Sequence, residues 1–99
     1  MKNKDTRNIF DYLAYNYDTG RLYWREKPSR GIKKGIDAGC ESKHGITIRF
    51  EKLDYKASRL VWELFTGKKP ERDVSFVDNN NLNTRFENLQ YVKKIYRRN

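Results

Sequence analysis

The chain is poor in everything that staples or anchors a small protein. A single cysteine, Cys40, excludes a disulfide frame and a thiolate zinc site. A single histidine, His44, makes a Cys/His metal centre arithmetically impossible within one chain. Cys40 therefore reads as a loop or strand-edge residue without redox duty, and His44, beside Gly45, as a turn residue rather than a base. No apolar run approaches the ~20 residues of a membrane span. The opening Met1-Lys2-Asn3-Lys4-Asp5 has no apolar signal segment behind it, so the expected compartment is a cytoplasm. Acids are also scarce: 13 Asp and Glu face 22 Lys and Arg, a net charge of +9.

Size and aromatic content set the fold class. At 99 residues, 36% of them hydrophobic, one small core is expected. Two Trp, seven Tyr and five Phe supply large buried area; Tyr12, Tyr17, Trp24 and Trp62 fall at periodic positions and are expected in the core.

The excess charge is concentrated. Residues 21–35 hold Arg21, Arg25, Lys27, Arg30, Lys33 and Lys34 against Glu26, and residues 93–98 hold Lys93, Lys94, Arg97 and Arg98 with no acid. Between them these segments carry the whole net charge. Two basic segments on a neutral body point to a polyanion partner. The plainer alternative is a solvated loop and tail.

The local patterns predict an α+β protein. Residues 6–13 suggest a short helix capped by Thr6, with Ile9, Phe10 and Leu13 on one face. Tyr15-Asn16-Tyr17 and Arg21-Leu22-Tyr23-Trp24 flank Asp18-Thr19-Gly20 as a hairpin. Residues 25–39, with Pro28 and three glycines, read as a mobile basic loop. Ile46 to Phe50 alternates as a half-buried strand with Ile46, Ile48 and Phe50 inward, and Tyr55-Lys56 returns after a turn. A helix follows over 58–66, with Leu60, Val61, Leu64 and Phe65 on one face, Arg59 and Glu63 paired outside it, and Gly67 as its stop. Val74 to Val77 is extended, and residues 78–83 form a loop rich in Asn. Thr84-Arg85-Phe86-Glu87 has the capping-box pattern of a second helix.

The order of strand, Asn-rich loop and helix, and the residues in it, resemble small HNH endonucleases of the phage and homing type. The resemblance is carried by Tyr55, Ala57, Arg59-Leu60-Val61-Trp62, Thr66-Gly67, Pro70, Asp78, Asn80, Asn83, Arg85 and Asn88-Leu89. The upstream Gly20-Arg21-Leu22-Tyr23-Trp24 is similar to a hairpin that often precedes that core. The resemblance implies one HNH-like domain over 1–99. It would comprise an N-terminal helix and β-hairpin region (1–54, with the basic loop 25–39), a ββα-metal strand-loop-helix core (55–92) and a basic tail (93–99).

In the family, an Asp-His pair ends the strand; the Asp holds a divalent metal and the His activates water. Here those positions are Ser75 and Phe76. The family's earlier His is Ser58, able to cap its helix instead; its second loop Asn is Thr84, and the late metal-site residue falls near Arg97. The resemblance thus implies a degenerate site, with no catalytic residue, metal or other cofactor expected. Asp78, Asn80, Asn83 and Asn88 would remain as loop scaffold, with Asn88 holding the loop against the helix, and Leu60, Trp62 and Leu89 in the core. The leading expectation is a nucleic-acid-binding protein, with double-stranded DNA as partner. Phosphates would be gripped by Arg25, Lys27, Arg30, Lys33, Lys34, Arg59, Lys68, Lys69, Arg85, Lys93, Lys94, Arg97 and Arg98. One alternative is an interaction protein that binds a host enzyme or defence protein. The other is a residual nicking enzyme in which Asp73 and Asp78 hold Mg²⁺. A phage-type origin would place the protein in the cytoplasm of an infected bacterium.

Overall fold

Alternating apolar residues on either side of a Gly-bearing turn build the first hairpin. In the structure, a computed structural model that describes residues 8–92, β1 (Leu13–Asn16) pairs antiparallel with β2 (Arg21–Trp24). Leu13 lies opposite Trp24 and Tyr15 opposite Leu22, which sets these four on the core side. The Asn16 side-chain oxygen accepts from the Asp18 N–H at 2.8 Å and shapes the turn.

The helix expected ahead of this hairpin shrinks to one 3₁₀ turn, Ile9–Asp11. Its cap is Asn8, whose side chain accepts from the Phe10 N–H at 2.9 Å; Thr6 lies outside the described residues. Leu13 is claimed by β1, and strand pairing stops the helix from propagating.

Loop 25–39 also differs from the expectation of a mobile segment. Gly35 N–H donates to Trp24 O at 2.6 Å and Trp24 N–H to Ile36 O at 3.0 Å, so residues 25–34 leave and rejoin the body at one point. Pro28 is buried and Ile32 packs against the core, which makes this an Ω-type loop held by its own apolar residues. Residues 36–38 then run back along β2 through a bridge between Tyr23 and Asp37, and Ala38 N–H donates to Leu22 O at 2.9 Å. Gly39 follows at φ 97°; a Cβ there would stand 2.8 Å from Ile48 Cγ1 and 2.9 Å from Thr47 O.

A three-stranded antiparallel sheet in the order β3 (Cys40–Ser42), β4 (Gly45–Phe50), β5 (Leu53–Lys56) comes next. Ile46, Ile48 and Phe50 point inward as the alternation predicts. Cys40 opens an exposed edge strand and His44 sits in the β3–β4 turn, both as expected. Helix α1 (Ala57–Thr66) buries Leu60 and Val61, and Gly67 ends it at φ 83° with its N–H on Glu63 O at 2.8 Å.

Three helix details depart from expectation. Lys56 occupies the cap position with extended backbone and no side-chain bond, so the buried Ser58 is not the cap. Leu64 and Phe65 remain 41% and 39% exposed. Arg59 turns away from Glu63 toward the 70–73 segment, donating to Pro70 O at 3.3 Å and Arg72 O at 3.2 Å.

The last pair is β6 (Val74–Phe76) with β7 (Leu89–Tyr91), antiparallel. The capping-box helix does not form. Arg85 is extended at φ −61°, ψ 137°, and Phe86–Asn88 makes only a 3₁₀ turn before β7. The described core segment is therefore strand, loop, strand rather than strand, loop, helix. One buried cluster joins both halves of the chain: Ile9, Leu13, Leu22, Trp24, Ile46, Ile48, Phe50, Leu60, Val61 and Leu89. Each such side chain contributes ~1.5–3 kcal/mol on full burial. Tyr12 and Trp62 pack at its margin, but Tyr17, expected inside, is 76% exposed.

Candidate functional site

The loop between β6 and β7 is fixed by short polar side chains bonding nearby backbone. Asn80 Oδ1 accepts from Leu82 N–H at 3.0 Å and Asn83 Oδ1 from Arg85 N–H at 3.3 Å. Asn79 takes the left-handed region at φ 63°, which Asn tolerates better than most residues. Asp78 and the buried Asn88 bond reciprocally: Asp78 N–H donates to Asn88 Oδ1 at 3.1 Å, and Asn88 Nδ2 donates to Asp78 Oδ1 at 3.0 Å. Asn88 Nδ2 also reaches Asn83 O at 2.9 Å. Asn88 thus holds the loop across its own hairpin, not against a helix.

Asp78 is the acceptor hub. Its Oδ2 takes the Asn83 Nδ2 at 2.9 Å, and its Oδ1 also takes the Asn80 N–H at 2.8 Å. The Asn83 amide foremost, then the Asn80 N–H and the Asn88 amide, hold its carboxyl below the usual carboxylate range.

Two distant turns clamp this loop. Thr84, 1% exposed, donates its hydroxyl to Gly20 O at 2.6 Å. Arg85 Nη2 donates to Asp18 O at 2.6 Å, and Phe86 N–H donates to the Tyr15 hydroxyl at 3.2 Å. From the other side, Asn81 Nδ2 donates to Lys43 O at 2.9 Å, in the β3–β4 turn. Nothing local in the sequence announces these four contacts.

Ser75 and Phe76 stand side by side on β6, opposite Gln90 and Leu89. Phe76 and Val74 pack against the core, so the phenyl ring has a structural seat. Neither side chain offers metal or base chemistry: a hydroxyl is a poor ligand for a hard dication, and a phenyl ring accepts no proton. The substitute pair Asp73 and Asp78 is not brought together. The two residues flank opposite ends of the three-residue β6, which puts about 10 Å of strand between them. Asp73 instead lies 3.9 Å from Arg59 Nη1. Among the described residues, no three His, Cys, Asp or Glu side chains converge as a metal-binding group.

The expected cationic residues separate into two kinds. Arg59 and Arg85 spend guanidinium donors on backbone carbonyls and act as clamps. Arg21 pairs with Glu41 at 3.0 Å and Arg49 with Asp54 at 3.0 Å. Arg25, Lys27, Arg30, Lys33 and Lys34, all exposed on the Ω-loop, make no ion pair among the described residues. Lys68 and Lys69 are exposed just beyond α1. Lys93, Lys94, Arg97 and Arg98 lie outside the described residues.

The Ω-loop and the Asn-rich loop sit at opposite ends of the first hairpin. Gly20 touches Arg85 at one end, and Trp24 closes the Ω-loop at the other. The four residues of β2 separate them by about 13 Å.

Small size, mixed strands with one α-helix among the described residues, and an amide-locked loop between two strands define an α+β protein. Residues 55–96 match the model of the HNH endonuclease family, so this part of the chain is similar to HNH endonucleases. Neither a curated protein nor a solved structure matches the chain. No helix among the described residues is long and apolar enough to cross a membrane.

Proposed function

We propose that the protein binds nucleic acid, double-stranded DNA foremost, on an HNH frame that no longer cuts. The observation that carries this reading is the Ω-loop: five exposed cations against the single acid Glu26, on a scaffold anchored by Pro28 and Ile32. Elsewhere, Arg21, Arg49 and Arg59 each have a carboxylate nearby. A polyanion held there releases condensed counterions, so affinity falls steeply with salt. The contacts go to phosphates and carry little sequence preference.

The loss of cleavage rests on Ser75 and Phe76. Removing a general base alone costs ~10²–10⁴-fold, and here the adjoining metal ligand is missing as well. A phage-type origin, and with it a bacterial cytoplasm, accords with the resemblance. The test has two arms. Binding of a labelled duplex is measured across rising salt; affinity that barely changes rejects the binding reading. Supercoiled DNA is incubated with the protein and Mg²⁺ or Mn²⁺. EDTA-sensitive nicking that Asp78→Ala abolishes rejects the inactive one.

A further inference from the structure

We propose that the cleft between the first hairpin and the C-terminal end of α1 is a stacking site for unpaired nucleobases. This rests on the nucleic-acid reading and names a second mode within it. The cleft has a volume of about 380 Å³ and is lined by Leu13, Ala14, Tyr15, Tyr17, Leu64 and Phe65. That volume falls within the range of small-ligand sites, about 300–1,000 Å³. No charged side chain lines it.

Its outer rings are exposed but not loose. Tyr17, 76% exposed, meets Tyr15 edge-on with ring centroids 4.9 Å apart and Phe65 at 6.3 Å. Phe65 meets Tyr15 at 4.8 Å and lies flat on Phe86 at 4.6 Å, 4° from parallel. A hydroxyl-bearing ring held in the open by other rings is a platform whose ordering cost is already met within the fold. Such platforms stack bases without reading them.

Charge favours this occupant over an apolar peptide or a second copy of the chain. Arg85 donates to the carbonyl of Asp18, the residue next to Tyr17, at 2.6 Å, and a guanidinium has five N–H donors. The one acid of the hairpin turn is Asp18, whose backbone is bound by Arg85. A base stacked on Tyr17 would bring its phosphate toward the Arg85 guanidinium at the adjoining turn. Bases in an intact duplex are already stacked on their neighbours, so the site selects unpaired ones.

The experiment compares the full chain with Tyr17→Ala and Tyr17→Phe by fluorescence anisotropy. The probes are a labelled oligothymidylate and a blunt duplex. Tyr17→Ala should weaken oligothymidylate binding about tenfold, while Tyr17→Phe and duplex binding move by less than about twofold. Unchanged oligothymidylate affinity in Tyr17→Ala, with salt-sensitive duplex binding intact, overturns this inference alone. Equal losses on both probes overturn it too. Failure of the parent protein to bind either probe withdraws it together with the nucleic-acid reading. A dimer in sedimentation equilibrium that Tyr17→Ala dissociates assigns the cleft to a second copy and overturns the proposal.

Discussion

Replacing Lys27, Arg30, Lys33 and Lys34 together by Gln should flatten the salt dependence of duplex binding. The four side chains are exposed and make no ion pair among the described residues, so each is free to neutralise one phosphate. Each phosphate contact contributes about 0.9 to the slope of log affinity against log salt on duplex DNA. Four contacts make the slope shallower by about 3.6. Between about 50 and 200 mM salt, that slope corresponds to a ~150-fold change in affinity, which the variant no longer shows. The fold should survive, because Pro28, Ile32 and the Trp24–Gly35 closure are untouched. Surface changes of this kind stay within about 0.5 kcal/mol, or about 2–4 °C in Tm. The assay is anisotropy of a labelled duplex at five or more salt concentrations, with circular dichroism as the control for folding. A folded variant whose slope lies within about one unit of the parent would refute the assignment of the Ω-loop as the phosphate-binding surface.

Other expectations concern the clamp around the Asn-rich loop. Thr84→Val keeps the shape but strands the buried Gly20 carbonyl; the loss should be ~1–3 kcal/mol, or at least about 4 °C in Tm by thermal melting. Gly20→Ala should be worse. Its φ of 76° disfavours any side chain, and a Cβ would stand 2.8 Å from Arg85 Cα and 2.9 Å from Arg85 N, so urea midpoints should fall by more than for Thr84→Val. Asp78 titrates in the acid range. Its folded carboxyl is more acidic than the unfolded one, so the stability it adds is complete above the unfolded value of about 3.9 and is lost as pH falls through the folded value. Urea midpoints of the parent should therefore drop more steeply below about pH 4 than those of Asp78→Asn; parallel curves would contradict the role given to its three amide donors.

Much of this arrangement was legible in the chain because it depends on near neighbours. The first hairpin, the β4 alternation and the Gly67 stop each follow from residues within a few positions of one another. So does the loop at 78–83, where Asp78, Asn80 and Asn83 each bond a group two to five residues on. What failed was local signal overruled from afar. Thr84 has the sequence of a capping residue, but its hydroxyl goes to Gly20, 64 residues earlier, and the helix it would start gives way to β7. The alternation Leu89-Gln90-Tyr91 was the available sign of that strand. Likewise, Tyr17 has the spacing of a core aromatic, yet follows the last pair of β1 and swings outward at the turn.

The separation of the two loops gives the account its sharpest test. If phosphates bind the Ω-loop, about 13 Å of β2 lie between the binding surface and the Thr84 clamp. Sites so far apart without shared partners act additively, within about 0.5 kcal/mol. Thr84→Val should then lower Tm while leaving the salt slope unchanged, and the fourfold Gln variant should do the reverse. The combined variant should show both effects undiminished. A different outcome has a definite meaning. If Thr84→Val alone flattens the slope in protein that is still folded, nucleic acid lies across the Asn-rich loop. The chain would then keep its ligand where the family's catalytic pair would stand, with Arg85 and the loop amides rather than the Ω-loop as its main contacts.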